Sequence, residues 1–437
     1  MSPQRQAELY YKAGFSKLQS GYQSDAVVYF SDAIRLNPKY DDAYLARGTV
    51  EQARHDFRAA INDYDRAIEL NPGNERAFYC RGTSKLGLKD YSGAIADLIA
   101  AIKLYPDDAN AYNYRGLARA QSRDRDGAVD DFNRVVELNP EEATAYRNRA
   151  AVEALLKEYE KVLPDASKAI QLDGNDAFSY RIRGHAKSSL KDRDGALADM
   201  DKAIELNPKD ATAYTARDGI RLEWDDFDDA SADLEKAMEM NPNSAFVYVS
   251  RGLLERKRGD NDAALIDLNR AVELSPRSAE TYETLGYLQS DLFQWRPALE
   301  NLRKAIELDP GKDEVAFRIY LIRCRMGEEG DANKELAAHI ESLKGAKAQD
   351  WPASIGRFLS GNLSESEFLN QATTTAKRPT DINKQVCEAY YYAGIKHLLS
   401  GDKAEASELF KKCIIAGDKY CFEYMSAGVE LHTLNQP

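Results

Sequence analysis

Apolar and polar positions along this chain recur every 34 residues, and each period closes on a helix breaker: Pro38, Pro72, Pro106, Pro140, Gly174, Pro208, Pro242, Pro276 and Pro310. Placing the breaker at the thirty-second position sets repeats that start at Ala7, Asp41, Glu75, Ala109, Ala143, Ala177, Ala211, Ala245 and Ala279, with a degenerate tenth at Asp313. Two amphipathic stretches of helical period flank a polar turn in each unit. Every unit therefore reads as a helical hairpin that buries its apolar face only against its neighbours. The pattern predicts an all-α array and no convincing strand.

The columns of the repeat specify its packing. The fourth place is aromatic in nine successive units (Tyr10, Tyr44, Phe78, Tyr112, Tyr146, Tyr180, Tyr214, Tyr248, Tyr282), which supplies wedges between hairpins. The eighth is glycine except at Ala150 and Asp218, and the twentieth is alanine except at Val162. Glycine inside a helix costs about 1 kcal/mol against alanine, so its recurrence signals close approach of the two helices of one hairpin. A third small column at the twenty-seventh place, from Ala33 to Ala305 with Val135 as its exception, does the same for the next hairpin.

One polar pair of columns supports this register. Arginine fills the seventh place in repeats two to eight (Arg47 to Arg251), and aspartate fills the twenty-third in the same repeats (Asp63 to Asp267). Repeat one has Ala13 with Tyr29 and repeat nine has Leu285 with Asn301, so the two residues come and go together. An antiparallel hairpin turning between the fourteenth and fifteenth places brings them opposite each other, which predicts a structural ion pair in each unit.

These columns resemble the tetratricopeptide repeat (TPR) family over residues 7–312. The resemblance implies a right-handed superhelical α-solenoid whose concave groove, lined by the first helix of every hairpin, holds peptides or partner domains. In that family the second, fifth, sixth, ninth and twelfth places face the groove. Carried onto this chain they present Asn110, Asn113, Tyr114, Arg147, Asn148, Arg181 and His185, a polar and locally cationic patch, and Phe246, Val249, Leu253 and Tyr287, an apolar one. The chaperone-type carboxylate clamp needs lysine at the fifth place with asparagine at the ninth, and no repeat here has either.

The pattern breaks in three places. Repeat five carries Pro164 in its second helix, where a kink or restart is expected, and Ala166 in place of a large residue. Repeat seven has Asp218 for glycine, and the tenth repeat, residues 313–346, loses both its aromatic and its glycine. Residues 347–386 then read as an irregular helical insert: a short helix around Trp351-Pro352 and Phe358, a turn at Gly361, a helix capped by Ser364, and a loop over Thr373 to Asp381. Residues 387–437 restore a repeat from Cys387 to Asp418 and end in a helix, Phe422 to Leu434, that caps the array. This tail resembles the closing segment of NlpI-type bacterial envelope lipoproteins, adaptors for proteases and peptidoglycan hydrolases, in Trp351, Phe358, Gly361, Glu388, Tyr392, Gly394, Ala406, Phe410, Glu423 and Glu430.

Composition narrows the function. A net charge of -13 and the lack of a basic stripe argue against nucleic acid. No apolar run approaches the roughly 20 residues needed to cross a bilayer, and Met1 to Gln6 carry neither an apolar core nor a lipid-attachment cysteine. The chain is thus expected to be soluble, cytoplasmic as written or periplasmic if a leader has been removed. The cysteines, Cys80, Cys324, Cys387, Cys413 and Cys421, are odd in number and lack zinc-type spacing. Cys387 and Cys421 lie one period apart, which in stacked repeats means about 10 Å, too far for a bond. The histidines, His55, His185, His339, His397 and His432, sit beside no candidate nucleophile. The turns Asp124 to Gly127 and Asp192 to Gly195 faintly resemble calcium loops but lack the acidic ligand at the twelfth place. No enzyme activity, cofactor or metal is expected. The chain reads as a non-catalytic scaffold or adaptor for a protein or peptide partner, plausible in a bacterial cell envelope or in assembly. The alternative is a regulatory or targeting subunit of an enzyme carried on another chain, and a homodimer through the C-terminal region is a further reading.

Overall fold

The computed structural model describes residues 2–342, 350–376, 379–416 and 421–435. Every regular element among the described residues is an α-helix, and the chain divides into two compact units, Met1–Pro208 and Lys209–Pro437. The first unit pairs α1 (Pro3–Gln19) with α2 (Gln23–Leu36), α3 (Asp41–Ala53) with α4 (Phe57–Leu70), and α5 (Glu75–Gly87) with α6 (Tyr91–Leu104). It continues with α7 (Ala109–Gln121) and α8 (Arg125–Leu138), α9 (Ala143–Leu155) and α10 (Tyr159–Leu172), and α11 (Ala177–Ser189) and α12 (Arg193–Leu206). The second unit holds α13 (Ala211–Glu223) with α14 (Phe227–Met240), α15 (Ala245–Arg258) with α16 (Asn261–Leu274), and α17 (Ala279–Asp291) with α18 (Trp295–Leu308). After α19 (Asp313–Arg325) and α20 (Glu329–Ser342) come α21 (Trp351–Leu359), α22 (Glu365–Thr374), α23 (Pro379–Leu399), α24 (Lys403–Ala416) and α25 (Phe422–Leu434).

Local chemistry sets these boundaries. Within each hairpin the fifteenth place is left-handed: His55 (φ 63°), Lys89 (62°), Arg123 (69°), Lys157 (60°), Lys191 (67°), Asp225 (61°) and Phe293 (59°), with glycine taking the role at Gly21, Gly259 and Gly327. Asp56, Asp90, Asp124, Asp192 and Asp260 then cap the second helix by accepting from a backbone N–H three residues on. The two calcium-like turns are of this kind, since Asp124 accepts from Gly127 N at 3.1 Å and Asp192 from Gly195 N at 3.0 Å. Between hairpins the residue before the breaker is extended. Asp173, which precedes Gly174, keeps φ -135°, matching Asn37 before Pro38, so the turn survives without proline.

The glycine column works as a socket for the residue sixteen positions later. A Cβ on Gly48 would lie 2.8 Å from the Tyr64 ring and 3.2 Å from Ala60 O, and one on Gly116 would lie 2.9 Å from Phe132. Repeat five shows the converse: Ala150 replaces the glycine, Ala166 replaces the large partner, and the two share one buried cluster. The swap is paired, which explains a departure that looks like drift when each column is read alone. Pro164 does not restart the helix, one of the two outcomes expected of it, because α10 runs through it as a single helix from Tyr159 to Leu172.

All seven arginine–aspartate pairs form, with Nη2 to Oδ1 at 2.5–2.7 Å from Arg47–Asp63 to Arg251–Asp267. The same guanidinium also reaches back to the second helix of the preceding hairpin: Arg47 to Ser31 at 2.9 Å, Arg81 to Asp65 at 2.6 Å, Arg149 to Asn133 at 2.7 Å and Arg183 to Ser167 at 3.2 Å. Each of these four arginines therefore bridges two second helices as well as the two helices of its own hairpin. Repeat nine substitutes a neutral bond, Asn301 to Gln289 at 2.7 Å.

The tail is more regular than its sequence. Ser364 and Glu367 form a reciprocal capping box at the start of α22. The loop expected over Thr373 to Asp381 is shorter, since α22 runs to Thr374 and α23 begins at Pro379, with Thr375 and Ala376 between them and residues 377–378 outside the described ones. The boundary placed at residues 346–347, Asp418 and Pro437 lie outside the described residues. Trp351 and Phe358 sandwich Phe368 in parallel stacks with centroids 5.1 and 4.3 Å away, and this core takes in Phe317, Leu321 and Leu336 of α19 and α20. A stack of aromatic rings without the 34-residue register holds the tail together, so the repeat columns alone did not predict it.

Candidate functional site

The first helices of repeats four, five and six are α7, α9 and α11, and each adjoins the next. Asn110 sits exposed at the start of α7. Asn113 accepts a hydrogen bond from Asn148 Nδ2 at 3.1 Å, tying α7 to α9. Tyr114 meets Tyr79 edge to face with centroids 5.8 Å apart. Arg147 and Arg181 stand over one ring, that of Phe178, at 5.9 and 4.8 Å from its centroid, and Arg147 also reaches the Asp176 carboxylate at 3.7 Å. His185 packs edge to face on Tyr159 at 5.7 Å. The residue is exposed at its edge, but desolvation by the protein packed around the ring, and then the Arg181 cation, push its imidazole below the ordinary histidine value.

Of these side chains, Arg147 and Arg181 place two cations against an aromatic ring, that of Phe178, which is 38 % exposed. Phe178 was missed from the sequence, although it occupies the second place of repeat six and thus a groove column.

The apolar residues do not make a common open surface. Phe246 on α15 is 60 % exposed, whereas Val249 packs against the buried cluster of Ala264, Leu268, Leu285 and Leu288, and Leu253 is half-buried. Tyr287 on α17 is only 1 % exposed, because the Phe422 ring of α25 stacks on it with centroids 4.3 Å apart.

The last helix therefore does more than close the end of the array, the role its position predicted. It lies against α17 as well as α23 and α24. A buried polar network fastens it there: Ser426 donates to Asp291 at 2.7 Å and receives from Arg318 at 3.0 Å, and Arg325 pairs with Glu430 at 2.7 Å. Asp291 also pairs with Arg256. Beside this contact lies a cavity of about 700 Å³ whose lining includes Lys257, Leu288, Phe293, Tyr424, Met425 and Val429. The signal in the sequence was Phe422 with Ser426 and Glu430, a helical stripe of one aromatic and two polar residues.

Among the described residues, Glu388, Cys421 and Glu423 bring ligand-type atoms within 4.8 Å of one another. Each already has a protein partner. Glu388 accepts from Trp351 Nε1 and pairs with Lys384 at 3.3 Å, and Glu423 accepts from the Cys421 thiol at 2.9 Å and from Tyr392 OH at 3.3 Å. Burial pushes the Glu388 carboxyl well above the ordinary carboxylate range. The group reads as an internal polar network rather than a vacant metal centre. His397 likewise sits between Glu365 at 2.9 Å and Asp402 at 3.3 Å.

Family models described as tetratricopeptide repeat match residues 79–134, 116–177 and 222–279, and a second model of that description matches residues 179–210. Residues 79–177, 179–210 and 222–279 are tetratricopeptide repeats. Solved structures of similar hairpin fold include PilF of Pseudomonas aeruginosa, 23 % identical over 48 % of this chain and 95 % of that one, with a TM-score of 0.42. Another is MamA from Desulfovibrio magneticus RS-1, 22 % identical over 39 % of this chain and 96 % of that one, with a TM-score of 0.38. A third is a tetratricopeptide repeat protein from Parabacteroides merdae, 19 % identical over 64 % of this chain and 98 % of that one, with a TM-score of 0.37. The likeness is one of hairpin fold. The matched family segments stop at residue 279, so the likeness of the tail to NlpI-type lipoproteins rests on its residues alone. Among the described residues no helix is long and apolar enough to cross a membrane.

Proposed function

We propose that this protein is a non-catalytic scaffold that grips an acidic segment of a partner protein on the face formed by α7, α9 and α11. One observation carries the reading: Arg147 and Arg181 flank the half-exposed Phe178 on adjoining first helices. Guanidinium groups held by an aromatic ring present fixed N–H forks to carboxylates, while the ring offers an apolar contact beside them. Asn113 and Asn148 add amide groups that read an extended backbone or a polar side chain.

The second unit supplies an internal precedent for the chemistry. There Tyr287, Arg318 and Arg325 receive Phe422, Ser426 and Glu430 of a helix, so aromatic and arginine side chains on first helices take an aromatic and acidic ligand. The tail's likeness to envelope adaptors favours a partner in the bacterial cell envelope. The test is capture of proteins from an extract of the source organism on the immobilised full chain, beside the Arg147→Glu/Arg181→Glu variant. Retention of a partner by the native chain, lost in the variant while the helical circular dichroism is unchanged, supports the reading. Equal retention by both places the binding site elsewhere.

A further inference from the structure

Three of the five cysteines of this chain gather in the tail. Cys387 on α23 and Cys413 on α24 lie with their sulfurs 3.0 Å apart, and both residues are 0 % exposed. Cys421, at the start of α25, is buried beside them and donates to Glu423. Counting from Cys387 as the first place of the terminal repeat explains the meeting. Cys413 falls in the twenty-seventh place, the small column filled by Ala33 in repeat one and Ala305 in repeat nine. That column exists because helices approach closely there, and two small sulfur-bearing side chains in such a contact touch. Cys421 also comes within side-chain hydrogen-bond reach of Cys387, which overturns the expected spacing of about 10 Å, because the chain turns back at α25 against α23 instead of stacking a further hairpin.

We propose that Cys387 and Cys413 are a modification site, a dithiol that a disulfide-type oxidant converts to an intramolecular disulfide joining α23 to α24. One thiolate attacks the oxidant's S–S bond and releases half of the oxidant as a thiol. The second protein thiolate attacks the mixed disulfide and releases the other half. Two protein thiols thus lose two protons and two electrons, and the oxidant's disulfide becomes two thiols. Hydrogen bonding with Cys413 and burial hold the Cys387 thiol well above its ordinary value, so the reaction belongs to folding or to local opening rather than to the closed core. The bond lies in the core that also holds Tyr391, Tyr392 and Ala427 of α25, so it braces the platform on which the last helix rests.

The experiment incubates the full chain, refolded from denaturant, with oxidised glutathione. It then unfolds the protein without reductant and alkylates the thiols with N-ethylmaleimide before mass analysis. The expected result is alkylation at Cys80, Cys324 and Cys421 only, with peptides containing Cys387 and Cys413 joined and lighter by two hydrogens. The thermal midpoint of the tail should fall by roughly 5–10 °C on adding dithiothreitol. Cys413→Ala places in that column the residue other repeats use, so the variant is expected to fold, and its midpoint should not respond to dithiothreitol. Five alkylated cysteines in the oxidised sample, or a cross-link that joins any pair other than Cys387 and Cys413, overturns the proposal.

Discussion

Residues 1–208 and 209–437 are built from the same hairpin but present its first helices differently. In the first unit the face of α7, α9 and α11 carries arginines around a ring that remains in contact with water. In the second, Tyr287 of α17 lies under Phe422, and the arginines of α15 and α19 are absorbed into a buried network with Asp291 and Ser426. One scaffold therefore yields an exposed cationic surface in one stretch and a self-occupied surface in another. The difference lies in whether a chain segment is available to lie across it.

The largest expected effect tests the covered face. Asp291→Ala leaves Arg256 and Arg318 buried without their shared carboxylate and should destabilise the second unit by about 3–5 kcal/mol. Hydrogen exchange read by mass spectrometry should show protection lost in α17, α19 and α25 and kept in α3 to α8. Uniform loss along the chain would show that the network does not act locally.

The next effect tests what the two units share. Asp131→Ala strands Arg115 and Arg119, which hold its carboxylate at 2.6 and 3.0 Å, and should cost about 3 kcal/mol in urea unfolding. Asp130→Ala, one residue away and exposed, should stay within about 0.5 kcal/mol. Equal midpoints for the two variants would remove the ladder as a source of stability.

A smaller effect separates the irregular repeat of each unit. In repeats three, four, six and seven a cation at the eleventh place joins the aspartate, as Lys85 does with Asp97 at 2.8 Å, whereas repeat five has Glu153. That carboxylate is buried with Oε2 lacking a hydrogen-bond partner, and burial, then Asp165, push it up to about 7 from 4.5. Its folded value is raised, so its contribution to stability is complete below about 4.5 and is lost as pH rises through about 7. Glu153→Gln should raise stability at pH 8 by about 1 kcal/mol after allowance for solvent screening, and should flatten the dependence between pH 5 and 8. In repeat seven, burial and then Asp233 push Asp218 up to about 8 from 3.8, so its contribution is lost between those values and Asp218→Gly should flatten the profile over that wider window. An unchanged pH profile in either variant would show that the group titrates normally.

The smallest effect lies in the turns. His55 holds φ 63° where repeat eight uses Gly259, and His55→Gly should stabilise the first unit by no more than about 1 kcal/mol. A loss of stability would show that the His55 ring, 5.8 Å from Phe57, outweighs the backbone strain.

Much of this architecture was legible in the residues because a repeat presents the same packing problem many times. Glycine at the eighth place, alanine at the twentieth and the Arg47–Asp63 type of pair each recur, so a contact inferred in one hairpin is checked in the next. Singular features had no such support. Ala166 looked like a defect until Ala150 was seen against it, and Pro164 looked like a point of restart although the helix continues. Phe178 stood in a groove column, but only the placement of Arg147 and Arg181 gave it a role.

The sequence by itself determined the hairpin, its period, its turns and its ion-pair ladder, since these depend on contacts within one unit or between adjacent ones. Tertiary structure alone decided that α25 lies on α17, that Cys387 meets Cys413, and that Tyr287 is covered while Phe178 is not. Those contacts join segments separated by up to 135 positions, as in Ser426 to Asp291, and no local periodicity records which distant surface a final helix will fill.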